Sequence, residues 1–275
     1  MSFWQSLQIL YHKISVFPIV RLIFVVIKDI IISMKKIGVI SDVHGNIVAL
    51  EAALKLLDSI GCEEIIHTGD VVDIGPNSRA CLELLLARKD VICLLGNHDR
   101  DFALNQTQVR NLSHVPAEHK QQVFATLTEK HREQVKQFPV YITRNCGGSK
   151  LMFCHYAFYP LPVSVDKYMF QPIAVPPTAE KFDKMFADVD ADAVFFGHKH
   201  EPCDIMGERL YVDVGSVGCH PAPLARAVVI EYDDNNWSYK RVYAPYDLQA
   251  TRNSMLSITC GEQLYDFYFL LNKKG

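Results

Sequence analysis

The sequence predicts an α/β fold built around a largely parallel sheet, and two observations carry that prediction. Short apolar runs rich in β-branched residues alternate with stretches of helical period, the pattern of strands joined by helical crossovers. The runs end in polar or glycine punctuation, as in GVISDVHGN at 38–46, which suits strands buried on both faces.

The elements follow in order. Residues 36–40 form the first predicted strand. After Asn46 the period changes: Ile47, Leu50, Leu54 and Leu57 recur at helical spacing, with Glu51, Lys55 and Asp58 opposite and Gly61 as a stop signal. A second strand at 64–68 ends in Gly69-Asp70, a helix at 78–89 turns Cys81, Leu82, Leu85 and Leu86 inward, and a third strand at 91–95 ends in GNHD (96–99). Residues 101–138 are polar and helical, with helices over 115–127 and 127–139, an insert expected beside the carboxyl ends of the strands. Strands return at 140–143 and 150–154, the latter ending in His155, before a Pro- and aromatic-rich loop at 156–177. A helix at 178–187 precedes a strand at 193–196 that ends in GHKH (197–200). Strands around 210–214, 226–232 and 237–242 complete a domain spanning 34–246, and 247–275 is a helical tail.

Composition excludes several classes. The 275 residues are 49% hydrophobic and 21% charged, an ordinary globular balance with room for a sizeable core. A formal charge of -3 offers no nucleic-acid footprint. The eight cysteines show no CxxC pair and fall mostly in apolar runs, so they read as reduced, buried thiols of a cytoplasmic protein. Residues 1–33 are apolar, but Arg21, Lys28 and Asp29 interrupt the run, so it falls short of the roughly 18 residues of a spanning helix. A surface helix, an extra docked helix or a mistaken start are the readings left for that extension, and Met34-Lys35-Lys36 directly before the first strand favours the last.

One pattern recurs at the strand ends: Asp42/His44, Asp70, Asn97/His98, His155 and His198/His200. Open α/β sheets bind ligands at that edge. In a strand-like conformation Asp42 and His44, two apart, point to the same side. Each signal alone has a plain explanation as a turn, a helix cap or a packed histidine; five in order do not. Carboxylate, imidazole and amide without thiolate suit hard or borderline cations. There are donors for two ions if one carboxylate is shared, and two divalent ions against two carboxylates leave the site about +2, which implies an anionic substrate. Such a pair clamps a phosphoryl group and generates hydroxide from a bridging water at neutral pH.

Together D-x-H, GDxxD, GNHD, a lone histidine and GHxH resemble the calcineurin-like metallophosphoesterase superfamily over residues 36–243. DVHGN, GPN after GD, and GSVG (215–218) are most similar to its bacterial phosphodiesterase-type branch. The resemblance implies two mixed β-sheets packed as a sandwich flanked by helices, with two divalent ions, Mn²⁺ or Fe²⁺ and with Zn²⁺ or Ni²⁺ as alternatives, at one edge. By position, Asp42, His44 and His200 would hold one ion, Asn97, His155 and His198 the other, and Asp70 would be shared. His98 would protonate the leaving-group oxygen or hold the phosphoryl oxygen. Asp73 would orient it, with the adjacent Asp99 as the rival.

Protein phosphatases of the superfamily carry arginines where this chain has Ile74 and Leu95. Their absence favours a phosphodiester or a nucleotide polyphosphate as the small phosphorylated substrate over a phosphoprotein. Val214 stands where related sequences have proline, and only a local backbone effect is expected. His67 reads as a packed strand-end residue, while His12, His114, His119 and His131 are expected on solvent-facing helices. His220 and Arg226 are secondary candidates for substrate contact, Arg226 otherwise being a surface strand residue. The alternatives to a diesterase are a phosphomonoesterase or protein phosphatase, or a catalytically silent protein-binding scaffold of the same fold.

Overall fold

The computed structural model describes residues 34–107, 115–159 and 169–270. The N-terminal extension, His12 and His114 lie outside these residues.

Two five-stranded sheets pack face to face among the described residues. The first runs β12-β11-β1-β2-β3, from β1 (Lys35–Ile40), β2 (Glu64–His67), β3 (Val91–Cys93), β11 (Leu224–Tyr232) and β12 (Trp237–Pro245). The second runs β4-β5-β8-β10-β9, from β4 (Tyr141–Cys146), β5 (Ser149–Cys154), β8 (Ala193–Phe196), β9 (Cys203–Met206) and β10 (Leu210–Asp213). A ribbon of β6 (Phe158–Tyr159) and β7 (Met169–Phe170) stands apart.

Both sheets are mixed, as the resemblance implied, whereas the strand–helix alternation alone pointed to a largely parallel sheet. β1, β2 and β3 pair in parallel, as do β5, β8 and β10. The flanking pairings, β1 with β11, β11 with β12, β4 with β5 and β9 with β10, are antiparallel. The alternation signal is real for the parallel centres, where helical crossovers are required. The antiparallel borders are joined by short turns or contributed from distant sequence, and carry no helix to announce them.

The period-2 rule then partitions each strand. Ile37 and Val39 of β1, Val228 and Ile230 of β11, Phe153 of β5, and Phe195 of β8 meet in the layer between the sheets. Ile40 of β1, Ala227 and Val229 of β11 face the other way, toward α1 (Ile47–Ile60) and α2 (Ser78–Leu86). α1 presents Leu50, Leu54 and Leu57 to that face, is capped by Asn46, whose side chain accepts from the Ala49 amide at 3.2 Å, and ends on left-handed Gly61. On the outer face of the second sheet, Phe182 and Phe186 in and after α6 (Ala179–Met185) pack on Phe196 and Tyr211. Each such buried side chain contributes about 1.5–3 kcal/mol, so the two sheet faces set the frame firmly.

Three shorter helices follow β3: α3 (Asn97–Ala103), α4 (Ala117–Ala125) and α5 (Glu129–Val135). Helix α3 starts at the GNHD motif itself, earlier than the expected polar stretch. Two more, α7 (Leu248–Met255) and α8 (Gly261–Phe269), form the tail and pack Met255, Leu264, Tyr265 and Phe269 against Ile74, Val115 and Cys219. Val214 donates its amide to Phe196 carbonyl at 2.8 Å, extending the β8–β10 pairing by a bond that proline could not make. No helix among the described residues is long and apolar enough to cross a membrane. All eight cysteines are free thiols, five of them buried.

Candidate metal centre

The site lies where the parallel strands of both sheets end. Asp42 and His44 follow β1, Asp70 follows β2, Asn97 and His98 open α3 after β3, His155 follows β5, and His198 and His200 follow β8. All the strand-end candidates of the sequence converge here.

They converge through backbone that is anything but strand-like. Asp42 (φ 54°), His44 (48°), Asp70 (63°), Asp73 (72°), Ile74 (59°), His198 (78°) and His200 (69°) all adopt the left-handed region. This corrects the expectation that Asp42 and His44 share a pleat face. Seven of the nine non-glycine residues with positive φ among the described residues stand in this one place. Such conformations cost energy and persist only where surrounding bonds over-determine them.

Those bonds are visible. Asp42, His44 and Gly45 donate their amides to the carbonyls of Gly69, Asp70 and Val71, each at 3.0 Å, zipping the first two loops together. The GSVG segment supports them from the second sheet: Val217 amide bonds Ser41 carbonyl at 2.9 Å, Gly218 amide bonds Asp42 carbonyl at 3.0 Å, and Ser216 Oγ donates to Asp42 carbonyl at 2.7 Å. Gly218 lies so close to Val43 carbonyl that any Cβ would collide with it. Gly96 gives the same closeness to the Asp70 carboxylate. Asp99 accepts the amides of Asp70 (2.7 Å), Val71 (3.0 Å), Val72 (3.2 Å) and Gly96 (3.2 Å), clamping the second and third loops. Burial and the nearby Asp70 charge push Asp99 up to about 6 in spite of those amides.

The side chains form two donor groups with Asp70 between them. In the first, His44 Nε2 and His200 Nε2 are 3.0 Å apart, and Asp42 Oδ1 is 3.7 Å from the former and 3.5 Å from the latter. In the second, His155 Nε2 lies 2.9 Å from Asn97 Oδ1 and 3.2 Å from His198 Nδ1. Asp70 Oδ2 is 3.8 Å from His44 Nε2 and 3.1 Å from His155 Nε2, while its Oδ1 is occupied by the His98 amide at 2.8 Å. Atoms about 2.1 Å from a common ion stand roughly 3.0 Å apart at octahedral angles and about 3.4 Å at tetrahedral ones. The observed separations fall on those values or slightly above, and the two imidazole nitrogens 3.0 Å apart, which can share a proton as an N–H···N hydrogen bond, are equally spaced to share a cation. Three overlapping clusters within this set bring their donor atoms within 4.8 Å of one another: Asp42/His44/His200, His44/Asp70/His98 and Asp70/His155/His198. The donor set therefore fits divalent metal ions.

Electrostatics agrees. Burial pushes His198 down to about 3 and His200 down to about 4, with His155 and His44 respectively adding to the effect, so both rings are neutral and able to ligate. Burial also opposes charge on His155, but the Asp70 carboxylate outweighs it and raises this ring to about 9. Burial disfavours charge on Asp42 and Asp70 as well; the surrounding histidines overcome it and hold both carboxyls below the usual range.

His98 stands beside this cluster, its ring 4.9 Å from that of His44 in an edge-to-face arrangement. Its Nδ1 is 2.8 Å from Asp73 Oδ2. The rival Asp99 points away into the backbone amides, so His98 meets Asp73, the carboxylate the resemblance implied, and not its sequence neighbour. Burial works against a charged His98, while Asp70 and then Asp73 raise it above its ordinary value.

Several residues were misplaced or missed by sequence reasoning. His119 and His131 are buried and not solvent-facing: His119 Nδ1 meets Thr259 carbonyl at 2.8 Å, and His131 Nδ1 accepts the Thr128 amide at 3.2 Å. Lys120, next to His119 on α4, is 1% exposed; its ammonium lies 2.7 Å from Asp101 Oδ2 and 3.5 Å from Asp73 Oδ2. Arg226 is buried, contrary to its reading as a surface residue; its Nη2 donates to His220 Nδ1 at 2.7 Å, and His220 Nε2 is 3.7 Å from Glu201. His67 is fully buried as expected. Phe170 stacks on His198 with centroids 5.9 Å apart, and Tyr268 of the tail lies over His200 at 5.7 Å. Aromatic side chains in an apolar loop or helix carry no local signal that separates a ligand's neighbour from ordinary core.

With this geometry in view the comparisons are decisive. Residues 34–235 match the sequence profile of the calcineurin-like phosphoesterase superfamily domain. The chain belongs to that superfamily. Phosphoric ester hydrolysis is the chemistry of such a phosphoesterase, and its metal-binding residues would be those assembled here. An uncharacterized protein of Methanocaldococcus jannaschii is 26% identical over 252 residues, covering 85% of this chain and 97% of its own. A metallophosphoesterase from Sphaerobacter thermophilus has a similar structure, with a TM-score of 0.64 and 23% identity over 84% of this chain and 96% of that one. A hypothetical protein from Pyrococcus horikoshii OT3 superposes with a TM-score of 0.66 at 17% identity, over 85% of this chain and 97% of that one. The two-sheet sandwich is thus the fold of this phosphoesterase.

Proposed function

We propose that the chain is a dinuclear, metal-dependent phosphoesterase that hydrolyses a phosphodiester or a nucleotide polyphosphate. The observation that carries this reading is Asp70: one oxygen is held by the His98 amide, and the other lies between two donor groups, 3.8 Å from His44 Nε2 and 3.1 Å from His155 Nε2. In this reading Asp42, His44 and His200 hold one ion, Asn97, His155 and His198 hold the other, and Asp70 is shared. Mn²⁺ or Fe²⁺ suits such nitrogen and oxygen donors, with Zn²⁺ and Ni²⁺ also compatible. When bound, the ions supply phosphoryl charge neutralisation and activation of water for in-line attack.

The chain's own residues do the rest. Asp73 accepts from His98 Nδ1–H, which leaves Nε2 to give a proton to the departing ester oxygen or to hold a phosphoryl oxygen. Buried Asp42 and Asp70 repel an incoming anion until cations offset them, so substrate binding follows metal binding. Ile74 and Leu95 are buried apolar residues, so neither position offers a guanidinium to a dianionic terminal phosphate. That supports a diester or polyphosphate over a phosphoprotein. Free thiols throughout support a reducing compartment, the cytoplasm.

The test is turnover of bis(p-nitrophenyl) phosphate with and without Mn²⁺, followed by a panel of diesters, monoesters, cyclic nucleotides and dinucleoside polyphosphates. Metal-dependent cleavage with diesters or polyphosphates ahead of monoesters is expected. Two bound ions with no turnover of any of them would leave the protein-binding scaffold as the better reading.

A further inference from the structure

The tail helices lie outside the segment that matches the family profile, which ends at residue 235, yet they reach the metal centre. Apolar contacts dock them. Met255, Leu264, Tyr265 and Phe269 pack on Ile74, which follows Asp73, and on Cys219, which follows GSVG. Polar contacts brace them from two directions. Asn77 Nδ2 donates to Ser254 Oγ at 2.8 Å, and Thr251 Oγ1 donates to Asn46 Oδ1 at 3.2 Å, tying α7 to the loops around the first ligands. Thr259 amide donates to Gln122 Oε1 at 2.9 Å, and its carbonyl meets His119, tying the α7–α8 turn to the α4 insert.

What this framework carries to the site is one aromatic residue. The Tyr268 ring lies 5.7 Å from that of His200, tilted by 39°. The ring also packs against the cluster that holds Ile74 and Cys219, and its hydroxyl takes part in no hydrogen bond among the described residues. A braced side chain with an unused donor, its ring beside that of the candidate ligand His200, is placed to meet a molecule bound at the metal centre.

We propose that Tyr268 is a substrate-contacting specificity residue: its hydroxyl donates a hydrogen bond to a phosphoryl oxygen of the bound diester, and its ring limits the space for the ester group. This rests on the phosphoesterase reading above. A neutral donor adds orientation without adding positive charge, so it serves a diester monoanion as well as a more highly charged ester. Ile74 then has a purpose as the apolar floor that seats the helix bearing the phenol.

The experiment compares the full chain with Tyr268→Phe and Tyr268→Ala. It measures metal content, Tm, kcat and KM on bis(p-nitrophenyl) phosphate and on the smaller methyl p-nitrophenyl phosphate, and Kd for inorganic phosphate by calorimetry. Tyr268→Phe keeps the ring and its packing, so Tm and metal content hold. Both kcat/KM and phosphate affinity should fall about three- to tenfold, the range of one neutral hydrogen bond. The preference between the two diesters should not change. Tyr268→Ala should show the same loss and also shift that preference toward the bulkier diester. Unchanged kcat/KM and phosphate affinity in Tyr268→Phe, with a wild-type protein that is active, would overturn the assignment of Tyr268 alone. A metal-loaded wild-type protein that cleaves neither ester, nor any of the monoesters, cyclic nucleotides and dinucleoside polyphosphates named above, overturns the phosphoesterase reading, and this assignment with it.

Discussion

The two sides of the site are built in opposite ways. On one side, Asp42, His44, Asp70, His198 and His200 occupy left-handed loop backbone at strand ends, held by amide–carbonyl bonds between loops. On the other, Lys120 and Tyr268 project from α4 and α8, within regular helices. The first side aims short side chains by bending the chain beneath them. The second aims long side chains by packing whole helices, so position is set by distant apolar contacts. The difference teaches where each side should be sensitive: the loops in chemistry and metal content, the helices in stability and in fine alignment.

The largest effect should come from Asp70→Asn. The exchange removes the charge between the two donor groups while keeping shape, and loss of several kcal/mol of charge stabilisation corresponds to roughly 10³-fold or more in kcat. Metal analysis should show both ions weakened. Two tightly held ions in this variant would break the view that Asp70 is shared. Next comes His98→Asn, which should retain both ions and lose roughly 10²–10⁴-fold in kcat, the span of one general acid–base group. The loss should shrink for esters with a good leaving group, such as nitrophenolate, which departs without a proton.

Asp73→Asn should cost less, roughly tenfold. Asp73 is among the groups that raise His98, so its removal lowers the pH at which His98 loses its proton and moves the alkaline limb of the pH–rate profile downward. Asp99→Asn should instead lower Tm, because Asp99 accepts four backbone amides, and leave that limb in place. The reverse outcome would reassign the orienting role to Asp99.

Lys120→Met tests the helical side. It removes the ammonium that lies 2.7 Å from Asp101 and 3.5 Å from Asp73, and breaking a buried pair costs about 3–5 kcal/mol. Thermal unfolding should show that loss, while kcat changes less than in Asp73→Asn. A variant of unchanged Tm with a large loss in kcat would erase the distinction between the two sides.

The smallest effect concerns pH and the metal-free protein. His155, raised to about 9, contributes stability fully below its unfolded value near 6.5 and loses it as pH rises through 9. His67, lowered to about 3, His198 and His200 are neutral in the folded protein and raise stability only up to about pH 7.5, where their unfolded forms lose the last of their protons. With a chelator present, Tm should therefore fall between about pH 7.5 and about pH 9.5. Divalent ions compete with the His155 proton, so their affinity should rise over the same interval. A flat Tm would show that His155 is not held protonated by Asp70.

The sequence alone determined the donors, because residue type and position at a strand end are local properties. Asp42, His44, Asp70, Asn97, His98, His155, His198 and His200 were all legible from runs of β-branched residues that stop at polar residues, and the structure brings all of them together. The helices with strong apolar period were legible for the same reason. Tertiary structure decided what depends on contacts across the chain. It divided the strands between two mixed sheets, since antiparallel borders such as β11 beside β1 join residues nearly 200 positions apart. It replaced the expected pleat at Asp42 and His44 by left-handed backbone, which only the bonds from the Gly69–Val71 loop and the GSVG segment can hold. It set Asp73 against His98, as the resemblance had implied, and consumed the rival Asp99 with backbone amides that no side-chain pattern reveals. It also brought Lys120 and Tyr268 to the site, since a charged or aromatic residue on a helix acquires its role from the surface that helix is packed against.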